Sequence, residues 1–219
     1  MSDGRFITFE GGDGVGKTTQ IARLAERLDT VGRGYRITRE PGGTPFAERL
    51  RELILAQETP EHSALSEALL FLSGRHDHVE RTIRPALDRG DWVLCDRFAD
   101  STRAYQGAAG GVDLATLKAL EEIVHPRCRP DLTIILDLDP ASGAARRARR
   151  RDEGGRDLAQ GDRYEQRDQA FQERLRKAFL SIAADEPERC RVVDASQGVD
   201  AVHDAIWRII GERFGDEVA

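Results

Sequence analysis

One stretch near the start of the chain constrains everything after it: Phe6-Ile7-Thr8-Phe9-Glu10-Gly11-Gly12-Asp13-Gly14-Val15-Gly16-Lys17-Thr18-Thr19. A short apolar strand runs into a glycine-rich turn and then into the first turn of a helix. Gly11, Gly16, Lys17 and Thr18 complete the spacing G-x-x-x-x-G-K-[ST] of a phosphate-binding loop. Chemistry explains the spacing. Glycines let the backbone wrap tightly, so that several N–H groups point inward at one phosphate. The helix that follows adds its positive N-terminal end. The Lys17 ammonium can reach the β- and γ-phosphates, and the Thr18 hydroxyl can ligate Mg²⁺. The chain's only lysines are Lys17, Lys118 and Lys177, and nearly every other cation is arginine. Lysine at position 17 therefore suits a site that needs a compact point charge on a flexible stem.

With 219 residues and a formal net charge of -6, the chain has the length of one larger domain, 1–219, and too little positive charge for broad nucleic-acid binding. A small phosphorylated ligand needs only a local cationic pocket. Cys95, Cys128 and Cys190 fit neither a disulfide framework nor a zinc pattern, and read as reduced cytoplasmic thiols. Met1-Ser2-Asp3-Gly4 leads straight into the first apolar stretch, so no secretory leader is expected. No apolar run approaches the length of a membrane span.

The chain alternates strands and helices. Ile21, Leu24, Ala25 and Leu28 recur at helical spacing, which predicts a helix from Thr18 to about Thr30. Tyr35–Thr38 reads as a strand, and a helix carrying Phe46, Leu50, Leu53 and Ile54 follows the Arg39–Thr44 loop. A long helical region runs from Ser63 to about Arg89, where Pro85 can bend it. Trp92–Asp96 is apolar throughout, as a strand covered on both faces should be. Ser101–Gly111 is polar and glycine-rich, so a loop or short helix lining a site is expected, with a helix over Leu114–Val124. Leu132–Leu138 is a fourth strand, and Pro140 starts a helix that ends in the arginine cluster 146–151. Residues 152–161 lack an apolar period and read as a mobile lid segment. A helix from Tyr164 to about Ala184, a strand over Arg191–Asp194 and a helix from Val199 to Phe214 complete the pattern. Such alternation means a parallel sheet with helices on both faces and binding loops at the carboxyl ends of the strands.

A phosphate loop alone leaves the reaction open among switch GTPases, ATPase motors and small-molecule kinases. A switch GTPase reads guanine with an Asn-Lys-x-Asp motif, and this chain contains no asparagine. A motor is usually longer or repeated. A phosphoryl transferase with a second, acceptor site remains.

Several segments now take on meaning together: Phe9–Thr19, Thr38-Arg39-Glu40-Pro41-Gly42-Gly43-Thr44, Asp96-Arg97-Phe98, Ser101-Thr102-Arg103-Ala104-Tyr105-Gln106-Gly107, Arg129-Pro130-Asp131-Leu132-Thr133 and Asp162-Arg163-Tyr164-Glu165. In this order, over nearly the whole chain, they resemble the thymidylate kinase family, whose members phosphorylate dTMP with ATP. The resemblance implies an α/β P-loop kinase fold with a five-stranded parallel sheet and a mobile lid at about 146–163. It implies ATP binding by Gly11, Gly12, Asp13, Gly14, Val15, Gly16, Lys17, Thr18 and Thr19. Asp13 would face the acceptor's sugar 3′-hydroxyl and the water shell of Mg²⁺. Phe71 would stack on thymine, and Arg75, one helical turn later, would donate to a thymine carbonyl. Arg97, joined by Arg51, would hold the acceptor phosphate, a group that guanidinium geometry suits. Thr102 and Gln106 would touch the base edge, and Asp96 would help Thr18 position Mg²⁺.

The family has two arrangements of catalytic arginine, one inside the phosphate loop and one in the lid. Position 14 is glycine here, so the resemblance implies the lid form. Arg146, Arg149 and Arg150 share one helix face by their spacing. Arg150 is expected at the transferred phosphoryl group, and Arg146 nearer the ATP base. Lys17 is expected to be exposed in the empty loop. The family also implies a homodimer, with no nucleic-acid or membrane partner. Two rivals remain: a nucleoside monophosphate kinase with another base preference, and a non-catalytic nucleotide-binding regulator.

Overall fold

The computed structural model describes residues 4–126, 128–152, 164 and 167–218, without the side chains of Arg150, Arg151, Asp152 and Asp216. Among these residues five strands form one parallel sheet: β1 (Phe6–Glu10), β2 (Tyr35–Arg39), β3 (Trp92–Asp96), β4 (Leu132–Asp137) and β5 (Cys190–Asp194). Their order is β2-β3-β1-β4-β5. β1 is central, with Phe9 in register with Asp96 on one side and Ile134 on the other.

The pleat of β1 divides its side chains between two cores. Ile7 and Phe9 join Ile21, Leu24 and Leu28 of α1 (Lys17–Thr30) and Ile206 and Ile210 of α9 (Val199–Val218). Phe6 turns the other way, to Val79, Ile83, Val93 and Phe98. Burial on both faces is why β1 and β4 read as near-continuous apolar runs. From β1 the chain runs to β2 and then β3 on one side, and crosses from β3 to β4 and β5 on the other. That switch in direction opens a crevice at the carboxyl end of β1, where a ligand is expected.

The remaining helices are α2 (Pro45–Leu55), α3 (Ala64–His78), α4 (Arg84–Asp88), α5 (Ala99–Thr102), α6 (Leu114–Val124), α7 (Pro140–Asp152) and α8 (Gln169–Asp185). The expected long helix from Ser63 is interrupted by a π-helical turn, Val79–Ile83. Pro85 causes it: the ring lacks an N–H and crowds the carbonyl four residues back. The wider turn absorbs the misfit, with the Arg84 N–H donating five residues back to Val79 O. Ser63 caps α3, its Oγ accepting from Ser66 N at 3.1 Å.

Ser101–Gly111 is more regular than its composition suggests, because α5 continues into a second π-helical segment, Arg103–Ala109. α8 starts at Gln169 rather than Tyr164, since the Asp168 carboxylate caps it by accepting from Phe171 N at 2.7 Å. In α9 the backbone leaves helical geometry at Phe214 (φ -134°, ψ 28°), the expected end, and resumes to Val218. The Phe214 ring packs edge-on against Trp92, with centroids 5.2 Å apart. Of the expected lid, α7 carries the start, and residues 153–163 lie outside the described residues. No helix among the described residues is long and apolar enough to cross a membrane.

Candidate active site

The loop between β1 and α1 sits over the crevice. Gly11 has φ +126°, and a Cβ there would lie 2.4 Å from Leu136 O on β4. Gly14 has φ +82°, and a Cβ would lie 2.4 Å from Gly143 O on α7. Both positions thus combine a left-handed backbone with a close approach that only glycine permits.

Lys17 is buried, not exposed as expected, at 7% relative accessibility. Its Nζ donates to Gly12 O at 3.0 Å and lies 3.9 Å from the Asp96 carboxylate. The loop folds over its own lysine, and a backbone carbonyl occupies the ammonium. Burial and the neighbouring Arg97 lower its pKa, against the pull of Asp96 and Asp13. Thr18 Oγ1 donates to Asp96 Oδ2 at 3.2 Å. A hydroxyl beside a carboxylate is a hard oxygen pair that suits Mg²⁺, which keeps waters and substrate phosphates as its other ligands. No group of three or more His, Cys, Asp or Glu among the described residues could hold a metal by itself.

Arg97, just beyond β3, has φ +69°, in the left-handed region that favours glycine. Such a conformation persists only when its surroundings over-determine it, and here they do. Its N–H donates to Phe9 O at 3.0 Å. Its guanidinium donates to Gly11 O at 2.9 Å, Ser101 Oγ at 3.2 Å and Asp13 Oδ1 at 2.7 Å, and lies over the Tyr105 ring. Burial alone would raise the Asp13 pKa, but Arg97 and Lys17 outweigh it and hold the carboxyl below its usual range.

Glu10 closes β1 and is fully buried. Its carboxylate accepts from Phe98 N at 2.8 Å, Ser101 N at 3.3 Å and Ser101 Oγ at 2.6 Å, clamping the turn that carries Arg97. Burial, together with the charge of Asp100, raises its pKa to about 7.

Across the cleft, α3 presents Phe71 and Arg75. Arg75 is 2% exposed. Nε donates to Glu40 Oε2 at 2.7 Å, and Nη2 to Phe98 O at 3.1 Å and Thr102 Oγ1 at 2.9 Å. Nη1 is buried with no acceptor. The second Glu40 oxygen lies 3.0 Å from His78 Nδ1. Gln106 Nε2 donates to Glu67 Oε2 at 2.8 Å, and Arg51 Nη1 to Pro41 O at 2.9 Å.

Asp13, Gly14, Gly16, Lys17, Thr18, Thr19, Arg51, Phe71, Arg75, Asp96, Arg97, Thr102 and Gln106 all line one cleft of about 250 Å³. Gly11, Gly12 and Val15 lie behind the loop, against β4 and α7. Among the lid arginines, Arg147 lines the cleft and donates from Nη1 to Asp13 O at 2.5 Å. This differs from the face expected to point inward: Arg146 is half-buried and does not line the cleft, and Arg149 is exposed. The Arg150 side chain lies outside the described residues.

A phosphate loop facing a second, arginine-rich wall is the geometry of a two-substrate cleft. The profile of the family described as thymidylate kinase matches residues 9–206. The chain belongs to the thymidylate kinase family. It is 50% identical to a thymidylate kinase of Caulobacter vibrioides, over 98% of this chain and 100% of that protein. It is 51% identical to one from Afipia carboxidovorans, over 96% of this chain and 90% of that one. The fold is similar to the crystal structure of thymidylate kinase from Ehrlichia chaffeensis, with TM-score 0.75 and 33% identity over 95% of this chain and 99% of that chain.

Sequence reasoning assigned no role to Glu10, Glu40, Glu67, Tyr105 or Tyr164, of which all but Glu10 and Glu67 line the cleft. A signal for Glu67 existed: Glu67, Phe71 and Arg75 stand at i, i+4 and i+8, one stripe of α3. Glu10 is the charged residue that ends an otherwise buried strand. Its raised pKa has a testable sign. Between pH 4.5 and about 7 the folded chain holds a proton on Glu10 that the unfolded chain releases, so this group's contribution to stability is present at low pH and is lost as pH rises. Urea unfolding of the parent and Glu10→Gln across pH 4.5–7.5 should show the variant gaining relative stability as pH rises. A difference that stays flat, or moves the other way, would exclude a protonated Glu10.

Proposed function

We propose that this chain transfers the γ-phosphoryl group of ATP to dTMP, giving ADP and dTDP, with Mg²⁺. The observation that carries this reading is Arg75. It is a buried guanidinium with one nitrogen lacking an acceptor, on the wall facing the phosphate loop. Such a donor is costly to bury unless a ligand completes it. Thymine offers an acceptor oxygen at position 4, whereas cytosine offers an amino donor there. Phe71, on the same stripe, supplies a ring for the base to stack on.

Each charged group then has a task. Lys17 exchanges the Gly12 carbonyl for the β- and γ-phosphate oxygens of ATP. Arg97 holds the acceptor phosphate, with Arg51 beside it, and Asp13 keeps Arg97 oriented while facing the sugar hydroxyl. Thr18 and Asp96 are the residues that would hold Mg²⁺, which would neutralise phosphate charge there. An oxygen of the acceptor phosphate attacks the γ-phosphorus, the bond to the β,γ-bridging oxygen breaks, and ADP leaves with that electron pair. Lid arginines stabilise the charge on the moving group and exclude water as the lid closes.

We also propose a homodimer. Phe46 and Leu53 on α2, Leu65 and Leu69 on α3, and Leu114 and Ile123 on α6 are exposed apolar side chains on helices that pack side by side. A second copy of the chain would cover them. Sedimentation should give a dimer that Leu69→Glu dissociates. A parent that sediments as a monomer refutes it.

ADP formation with MgATP, assayed against dTMP, dUMP, dCMP, dGMP and AMP, should be fastest with dTMP. Preference for another base would favour the related kinase, and ATP binding without any acceptor-dependent turnover would favour the regulator. Arg75→Ala should lower kcat/KM for dTMP and narrow its lead over dCMP, since an unpaired buried group costs about 1–3 kcal/mol. An unchanged ratio means that Arg75 does not read the base.

Alanine at Arg146, Arg147, Arg149, Arg150 and Arg151, one at a time, tests the lid. At saturating ATP and dTMP one or two of these variants, Arg150→Ala foremost, should lose at least about a hundredfold in kcat. Five parental values would move the search for the catalytic cation to Arg39 and Arg163.

A further inference from the structure

The wall that faces the base contains an amide whose orientation carries information. Gln106 is 1% exposed, lines the cleft, and donates from Nε2 to Glu67 Oε2 at 2.8 Å. Glu67 is itself buried at 8%, and its other oxygen lies 3.4 Å from His62 Nε2. An amide has two chemically opposite ends, one donor and one acceptor. An ionised carboxylate only accepts, so it binds the nitrogen end and leaves the oxygen end for the cleft. Glu67 belongs to the same stripe of α3 as Phe71 and Arg75, so one helix sets both the donor and the acceptor that a base would meet.

We propose that Glu67 is a specificity-determining positioning residue: by holding the Gln106 amide nitrogen it fixes the Gln106 oxygen as an acceptor toward the base. This inference rests on the reading that thymine lies between Arg75 and Gln106. Thymine and uracil present N3–H, a donor, which the Gln106 oxygen accepts. Cytosine presents an unprotonated N3, an acceptor, so two lone pairs would face each other. Arg75 and Gln106 thus form a donor–acceptor pair that matches position 4 and N3 of thymine together and mismatches cytosine at both.

A neutral amide in place of the Glu67 carboxylate removes the constraint. The new amide can donate to the Gln106 oxygen, and the Gln106 nitrogen can then turn to the cleft. The discriminating experiment measures kcat/KM for dTMP and dCMP, with thermal melting, in the parent, Glu67→Gln and the exchange variant E67Q/Q106E. In the exchange, the amide introduced on α3 donates to the carboxylate that replaces the Gln106 amide, and the second oxygen of that carboxylate remains an acceptor toward the base. The parent should prefer dTMP strongly. E67Q should narrow the dTMP-to-dCMP ratio at least tenfold, chiefly through KM, and the exchange should recover most of that loss. A merely structural Glu67 would lower both substrates' efficiencies together and leave the ratio in place. A folded E67Q with the parental ratio, or an exchange variant that remains as unselective as E67Q, overturns the proposal. Should E67Q fail to fold, the exchange variant decides alone: a retained preference supports the proposal and a lost one refutes it. A parent without preference for dTMP would instead refute the reading of the cleft on which the inference rests.

Discussion

The contact between Arg97 and Asp13 ties the two halves of the cleft together. Asp13 belongs to the loop after β1, Arg97 to the turn after β3, and the two strands lie side by side in the sheet. The ion pair, at 2.7 Å and largely screened from water, fixes a left-handed arginine against the phosphate loop. A buried pair of this kind costs desolvation, and is kept in place by the additional bonds that its donors make. Those bonds run to Gly11 O and Ser101 Oγ, and Ser101 is held in turn by Glu10. The side chain that would receive the acceptor phosphate is therefore positioned by the loop that would receive the donor phosphate.

A second constraint comes from α3. Glu67, Phe71 and Arg75 project from one stripe, and its two charged members are held by residues from elsewhere: Glu67 by Gln106, and Arg75, through two of its three nitrogens, by Glu40, Phe98 and Thr102. The helix thus presents a ring, a donor and, through Gln106, an acceptor on one wall. Burial raises the energetic stakes of each polar group there, because an unmatched donor or acceptor cannot turn to water.

Much of this was legible in the amino-acid sequence. The apolar runs of β1, β3 and β4 announced strands, that of β3 one covered on both faces, and the Gly11–Thr18 spacing announced the loop between β1 and α1. The helix over Leu114–Val124 has the limits its periodicity implies. What escaped was long-range or steric. The π-helical turn before Pro85 depends on how one ring meets a carbonyl in the preceding turn. The burial of Lys17 depends on a loop that closes on itself, and the inward turn of Arg147 depends on where α7 lands against Gly14. Ser101 lies 91 residues from Glu10 and Gln106 39 residues from Glu67, separations that no local pattern spans.

Arg97 would link the loop to the acceptor's phosphate, and one comparison addresses that link directly. Calorimetric binding of dTMP and of thymidine, which lacks the phosphate, separates the contribution of that group in the parent and in Arg97→Gln. Hydrogen bonds to charged groups contribute about 1.5–3 kcal/mol each, on the order of ten- to hundredfold in affinity. With that link, Arg97→Gln should shrink the margin of dTMP over thymidine at least tenfold, while thymidine binds within about threefold of its parental affinity. A margin that survives the substitution intact would contradict it.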